Sequence, residues 1–504
     1  MARRRRNQRT RPAPDRSRYR RLRSPFRPFE VLSADQVDHL HTSAVRYLAD
    51  EGMRVLFPEA RDLLVAAGCT PGDDLMIRFD PDVVADAIAT APSTFDLHAP
   101  NPDRAQTVGG DNVVLAPVGG PPFVSDRLRG RRPGTLADQQ NFLRLTQHYD
   151  VLAVSTPSVE PGDVPIDVRH LQSFHSTITL TDKPPWIYAR GRQRARDNFD
   201  MLKIRMGMTS DDELAATPCA YTIINTNSPR QLDVPMATAI IDFARLGQPV
   251  IMTPFTLAGA MAPVTLAGAL VLQHMEAVAA ITLAQVVRPG APVLYGAFTS
   301  NVDMRSGSPA FGTPESFRAA LASGQLARHI GVPWRSSASS ASNAVDAQAG
   351  YETMMNTFGA ICAGTNWLHH AAGWEEGGLT ASYEKFVVDI EMCQMLAESF
   401  QPVPFDDADL ALDAISEVGP GGHFFGAGHT LERYETAFYE SALFTRQNYE
   451  QWEEAGSKMT DERATEVWQR VLADFEPPPL DDAIAAELDG FVARRTAEGG
   501  AAPD

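Results

Sequence analysis

Residues 249–315 read PVIMTPFTLAGAMAPVTLAGALVLQHMEAVAAITLAQVVRPGAPVLYGAFTSNVDMRSGSPAFGTPE. Two short apolar runs, 250–255 and 293–299, flank a long apolar stretch with Gly or Pro at each boundary, which predicts strand, helix, strand. A strand reached after a single helix crosses over and lies parallel to the first, so this is a β-α-β unit. Parallel sheets present their chemistry just past the C-terminal ends of the strands. Thr253, Phe255, Tyr295 and Phe298 are therefore expected to point towards one mouth.

The same rhythm extends in both directions. Strand-like runs fall at 112–118, 151–158, 186–190, 219–225, 250–255, 293–299, 334–338 and 365–370. Helical stretches lie between them at 136–149, 166–180, 193–206, 232–246, 264–287, 314–330 and 344–362, and another follows at 383–399. Eight βα units in about 290 residues suit a TIM-type barrel, with an open doubly wound sheet as the competitor. The expected fold is α/β, a TIM-type eight-stranded (β/α) barrel over 109–400. An N-terminal helical region occupies 28–108, where Ser33 and Gln36 form a capping-box signature. Residues 401–475 read as a Gly-rich loop and helical extension, with helices at 434–445, 449–455 and 461–474, and 476–504 as a C-terminal tail.

Charge is unevenly placed. Twelve Arg against one Asp make residues 1–27 a +11 segment, so the net −18 of the chain leaves −29 on the rest. The Arg-rich segment reads as a disordered tail, and no apolar region follows its arginine pairs to make an export signal. Long-range repulsion of phosphates argues against nucleic-acid binding by the acidic body. The most apolar stretch, 258–287, carries His274, Glu276 and Gln285, so it reads as a core helix and no membrane association is expected. Cys69, Cys219, Cys362 and Cys393 lie far apart without metal-ligand spacing, as in a reduced, cytoplasmic protein. No G-x-G-x-x-G, Walker A or G-x-S-x-G motif occurs in a fitting context.

The strand ends supply the candidate site. Tyr188, Tyr295, Phe298 and Trp374, with Phe255 and Asn225 nearby, make a mouth rich in rings and poor in charge, suited to a cation without N–H donors. Arg190, with His369 or His370, is the candidate for binding a substrate carboxylate, and Glu160, Asp346 and Glu352 are candidate polar orienters. His369 and His370 are candidate catalytic residues together with Glu160. Side chains of neighbours on a regular strand point to opposite faces, so only one histidine is expected to reach the lumen. His423 and His429 sit in a loop with five glycines in fourteen residues and are candidates for a lid. No metal site is expected.

Several motifs resemble those of the trimethylamine methyltransferase family, the cobalamin-dependent methylamine and betaine methyltransferases. They are Gly130-Arg-Arg-Pro-Gly-Thr with Asp138, Thr181-Asp-Lys-Pro, Pro263-Val-Thr-Leu-Ala-Gly-Ala-Leu, Pro289-Gly-Ala-Pro-Val-Leu-Tyr-Gly, Asp303-Met, Asp346-Ala-Gln-Ala-Gly-Tyr-Glu, and Val418-Gly-Pro-Gly-Gly-His-Phe with His429-Thr. Their order and spacing carry the resemblance over roughly 30–475. It implies a TIM barrel and attack by the Co(I) of a corrinoid protein on an N-methyl group, giving methyl-Co(III) and a demethylated amine. Archaeal trimethylamine enzymes of the family carry pyrrolysine in the barrel. This chain has none, so it resembles the non-pyrrolysine members that include glycine betaine methyltransferases. The resemblance implies no tightly bound cofactor, cobalamin being brought by a partner corrinoid protein, and a homo-oligomer is expected. A non-catalytic methylamine-binding relative and a zinc-activated methyltransferase barrel using Cys219 or Cys362 stay open as alternatives.

Overall fold

The computed structural model describes residues 21–503. Six parallel strands, Asn112–Leu115, Trp367–His369, Trp334–Ser337, Val293–Gly296, Val250–Met252 and Thr222–Ile224, lie side by side in that order. The runs expected at 151–158 and 186–190 supply isolated parallel bridges instead of regular strands, Ser155 with Pro185 and Trp186 with Tyr221. Prolines account for the difference, because Pro157, Pro184 and Pro185 have no N–H to give to a ladder. Backbone hydrogen bonds still cross this stretch: Ala153 N–H donates to the Leu115 carbonyl at 2.9 Å, Ser155 to Pro184 at 3.0 Å and Ile187 to Tyr221 at 2.9 Å.

Alternation along the strands separates two surfaces. Val114, Ala116, Trp186, Tyr221, Ile251, Leu294 and Trp367 form one interior apolar cluster. Their neighbours Val250, Met252, Val293, Tyr295 and Trp334 join a second cluster with the surrounding helices. Both faces are thus buried, which is why these strands read as continuous apolar runs.

Helix boundaries follow the periodicity closely. Ile166–Leu180 and Tyr383–Ser399 begin and end where expected, and Ser33 caps Ala34–Asp50 in a capping box with Gln36. The Leu266–Val287 helix is long and apolar enough to cross a membrane by length and composition, but most of it is buried inside the protein. Ala34–Asp50, Pro58–Ala66 and Pro81–Thr90 pack across its outer side, so it has no polar face to show.

Three regional expectations need correction. The N-terminal region is not purely helical: it holds strands Met53–Val55, Thr70–Pro71 and Met76–Arg78, and the hairpin Thr94–Leu97/Gln106–Gly109. Leu97 and Val108 of that hairpin enter the interior cluster, so a period-2 ribbon seals what helices were expected to cover. Of the Arg-rich segment, residues 1–20 lie outside the described residues, whereas Leu22–Arg23 pairs antiparallel with Asn112 and Val113 and buries Leu22. Towards the C-terminus no helix forms over 434–445. Thr460–Ala473 lies against Tyr383–Ser399, with Trp468 Nε1 donating to Glu384 Oε1 at 2.9 Å. The Asp482–Ala497 helix docks on Ile166–Leu180 and Arg192–Met206 and buries Leu488 and Phe491, so this end belongs to the core.

Candidate functional site

After Val250–Met252 and Val293–Gly296 the chain builds a small sheet from Leu257–Ala258, Ser300–Val302 and Pro309–Ala310 before the next helices begin. Between these caps and the strand ends lies a cluster of rings. Phe255 and Phe298 have centroids 5.0 Å apart, and Phe298 stands 5.2 Å from Phe311, 5.9 Å from His370 and 6.1 Å from Trp374. Trp374 is fixed from two sides. Its Nε1 donates to the Ser340 carbonyl at 3.1 Å, and Gly378, at φ +100°, lies so close that an added Cβ would sit 2.3 Å from the indole. Only glycine combines that backbone with that approach.

The two histidines share this cluster, against the expectation that they diverge. His370 adopts φ +59°, which breaks the strand and swings its ring to the same side as His369, 4.2 Å away. The His370 ring packs 3.8 Å from Trp374, with Nδ1 2.7 Å from Ser337 Oγ. The His369 ring meets Trp186 edge-on at 5.3 Å, and Trp186 in turn meets Tyr188 at 5.6 Å. Burial, with the Arg335 charge as a further cause, holds His369 well below the usual imidazole range. Burial and then His369 and Arg335 do the same for His370. Both rings are therefore neutral near pH 7.

Other candidates lie elsewhere. Tyr295 points outward, where its hydroxyl lies 3.0 Å from both Gln273 Nε2 and His274 Nδ1, because Leu294 and not Tyr295 takes the inward position on its strand. Arg190 is exposed and lies over the Tyr188 ring at 4.9 Å. Glu160 accepts from Arg169 Nη1 at 2.7 Å, and Asn225 Nδ2 donates to the Thr253 carbonyl at 2.9 Å. Asp346 caps Ala347–Cys362, and Glu352 accepts from Ser340 Oγ and Ala341 N, both at 2.8 Å, bracing the serine loop beneath Trp374. His423 is exposed beside Phe425, and His429 lines a groove with Asp413, Glu417 and Glu432, so neither closes over the rings.

Sequence reading missed Arg335, Trp186 and Phe311. Arg335 is 1% exposed and points inward with its guanidinium carbon 5.4 Å from the centre of the Phe298 ring. Its Nη1 makes a long 3.4 Å contact to the Ala297 carbonyl, Nε has no partner, and no carboxylate among the described residues pairs with it. Burial pushes it down to about 9, so it stays charged at neutral pH. The one available signal was a lone arginine inside a strand buried on both faces.

Trp186 is positioned by glycine. A Cβ on Gly119 would lie 2.2 Å from the indole. Gly119→Ala is expected to push Trp186 into the ring cluster at a cost of about 1–3 kcal/mol of stability or ligand affinity, measurable by thermal melting and calorimetry.

No group of three or more His, Cys, Asp or Glu able to hold a metal occurs among the described residues. Burial raises the Cys219 thiol to about 12, which opposes the thiolate that zinc requires. Among the described residues the zinc-activated arrangement therefore lacks a ligand group.

Comparison with known proteins adds to this geometry. The family model described as trimethylamine methyltransferase (MTTB) matches residues 1–500. Glycine betaine methyltransferase of Desulfitobacterium hafniense (strain Y51) is 37% identical over 475 residues, spanning 94% of this chain and 98% of that protein. A trimethylamine methyltransferase of D. hafniense (strain DSM 10664 / DCB-2) is 30% identical over 94% of this chain and 95% of its own. Among solved structures, the monomethylamine methyltransferase of Methanosarcina barkeri aligns with a TM-score of 0.50 and 10% identity, covering 90% of each chain, a likeness of fold.

Proposed function

Because the chain belongs to the trimethylamine methyltransferase family and is a methyltransferase like its relatives, we propose that it moves an N-methyl group from a quaternary amine of the glycine betaine kind to the corrinoid of a partner protein. The observation that carries this reading is the ring cluster of Phe255, Phe298, Phe311, His370 and Trp374 at the strand ends. Aromatic faces attract a cation that offers no N–H, and in a water-poor site that attraction reaches about 2 kcal/mol per ring.

The chemistry explains why the site needs so few ionisable groups. When methyl leaves a quaternary nitrogen, the C–N bonding pair stays on nitrogen and the product is a neutral tertiary amine. No proton has to be delivered to the leaving group. Neutral His369 and His370 then serve as walls, and the work of the site is orientation and exclusion of water. A tertiary amine would need its leaving nitrogen activated, and the candidate polar orienter Glu160 is paired with Arg169.

We read the ring of strands as a closed eight-membered TIM-type barrel, its second and third members being the Ser155 and Trp186 bridges. The methyl acceptor would approach the cap, where Met261, Val264 and Met304 are exposed. Tyr351, Met354 and Phe358 form an exposed apolar stripe on Ala347–Cys362 that suits a homo-oligomer, and four free buried cysteines suit the cytoplasm.

Mixing the purified chain with reduced corrinoid protein and a panel of betaines, carnitine and methylamines tests the reading. The absorbance change of corrinoid methylation is expected with a quaternary amine. Silence across the panel would overturn it.

A further inference from the structure

Beneath the rings the interior offers hydrogen-bond donors with nothing to receive them. Arg335 Nε, Trp186 Nε1 and Trp367 Nε1 are buried without partners among the described residues, as are both ring nitrogens of His369. These groups belong to one place. Arg335 pairs in register with Trp367, Ser337 pairs with His369 on the same two strands, and the His369 ring touches Trp186. Buried polar groups without partners are rare, and a buried cation without an anion is rarer.

A permanent cation here also conflicts with the neighbouring ring cluster. The guanidinium lies 5.4 Å from the Phe298 ring centre, so a quaternary ammonium on that side of the rings would feel it through poorly screening surroundings. An anion covalently attached to the ammonium removes the conflict. It would sit between the two positive groups, accept the free donors and leave the occupied site with one net positive charge, that of Arg335 neutralised by the ligand's own carboxylate and the ammonium held by the rings.

We infer that Arg335, with His369 and Trp186, forms an anion subsite that seats the carboxylate of a zwitterionic substrate and makes Arg335 the residue that selects such zwitterions over plain methylammonium cations. The inference rests on the quaternary-amine reading above and adds the residues that would tell a trimethylammonium carboxylate from a plain methylammonium cation. The carboxylate points into the interior below the rings. The N-methyl groups are thereby turned towards the cap, where a methyl acceptor arrives. Arg190 on the rim, stacked on Tyr188, has no part in it.

Calorimetry on the full chain with glycine betaine and with choline, which has the same trimethylammonium group and a hydroxyl in place of the carboxylate, tests this directly. The wild type is expected to bind glycine betaine at least roughly 30-fold more tightly than choline, the scale of a charge-assisted pair. In Arg335→Met that preference disappears: glycine betaine loses its advantage and choline binds as well as before or better, because the buried repulsion is gone. A purely structural arginine would weaken both ligands together. Equal binding of the two compounds by the wild type overturns the subsite and leaves the quaternary-amine reading standing, and this comparison needs no variant to fold. Binding of neither compound overturns both.

Discussion

Replacing Trp374 by leucine is expected to lower kcat/KM for the quaternary amine about 30-fold while the protein stays folded. The magnitude follows from a desolvated cation–ring contact of about 2 kcal/mol, with each 1.36 kcal/mol worth a factor of ten. Leucine keeps an apolar, smaller side chain against Phe298 and Phe311 but removes the negative ring face and the hydrogen bond to the Ser340 carbonyl. A general packing defect would weaken any ligand of similar shape. The electrostatic account predicts something narrower. Against 3,3-dimethylbutanoate, the carbon isostere of glycine betaine, the wild type should prefer the cation, and Trp374→Leu should lose that preference. Trp374→Phe, which retains a ring face, is expected to fall between the two. Equal losses for cation and isostere would show that Trp374 acts by shape alone.

The second large effect concerns acid. His41, His274, His369 and His370 are all held below the ordinary imidazole value chiefly by burial, His274 to about 3. His274 faces His41 Nδ1 at 2.9 Å from Ala34–Asp50 and the Tyr295 hydroxyl at 3.0 Å, and His41 in turn meets His329 of Pro314–His329 at 5.0 Å. An unfolded histidine takes up its proton near pH 6.5, whereas these four do so at lower pH, His274, His369 and His370 at far lower pH. Below about 6.5 the unfolded chain therefore binds protons that the folded chain refuses, and stability falls as pH falls, by up to about 1.4 kcal/mol per pH unit for each group. Glu375 works the other way. Burial raises it to about 7, so the folded state gains from its protonation as pH drops from there towards 4.5. Asp242, Glu276 and Asp389 are raised by burial as Glu375 is and offset part of the histidine effect, so the histidine contribution is isolated by difference: between pH 7.5 and 5 denaturant unfolding is expected to show that His41→Gln loses less stability with acid than the wild type. Identical pH profiles for the wild type and His41→Gln would contradict the neutral, buried assignment of His41.

How much of this was legible in the sequence depended on the kind of information each feature carries. The alternation of strand and helix was plain, because each helix shows its period and each boundary its Gly, Pro or cap. What period alone does not reveal is which face of a strand points inward when both faces are buried. Leu294 and Tyr295 are equally apolar neighbours, so Tyr295 was assigned to the mouth while it lies among the helices. His370 was misjudged for a different reason: its left-handed backbone is set by the turn into Ala371–Gly373 and leaves no mark on the composition of the run. Phe255, Phe298 and Trp374 were grouped together from the sequence, and their rings do lie together, because strand ends and rings are a rule that survives small errors of register. Arg335 escaped because a search for exposed chemistry passes over a charge flanked by Trp334 and Ser336 inside a strand. Its meaning appears only when the carboxylates of the described residues have been placed and none of them reaches it. The described part of the basic segment shows the same limit, since Leu22 and Arg23 pair with a strand about 90 residues away, a non-local contact that local composition does not encode.

The central claim is that the rings around Phe298 and Trp374 hold the N-methyl groups of a quaternary ammonium. The proton resonance of those methyl groups reports on it directly, because protons lying over aromatic faces are shifted upfield. Titrating the protein into glycine betaine should move the N-methyl signal upfield, and Trp374→Leu should diminish the shift. An N-methyl signal that stays in place while the protein still binds glycine betaine would contradict the account.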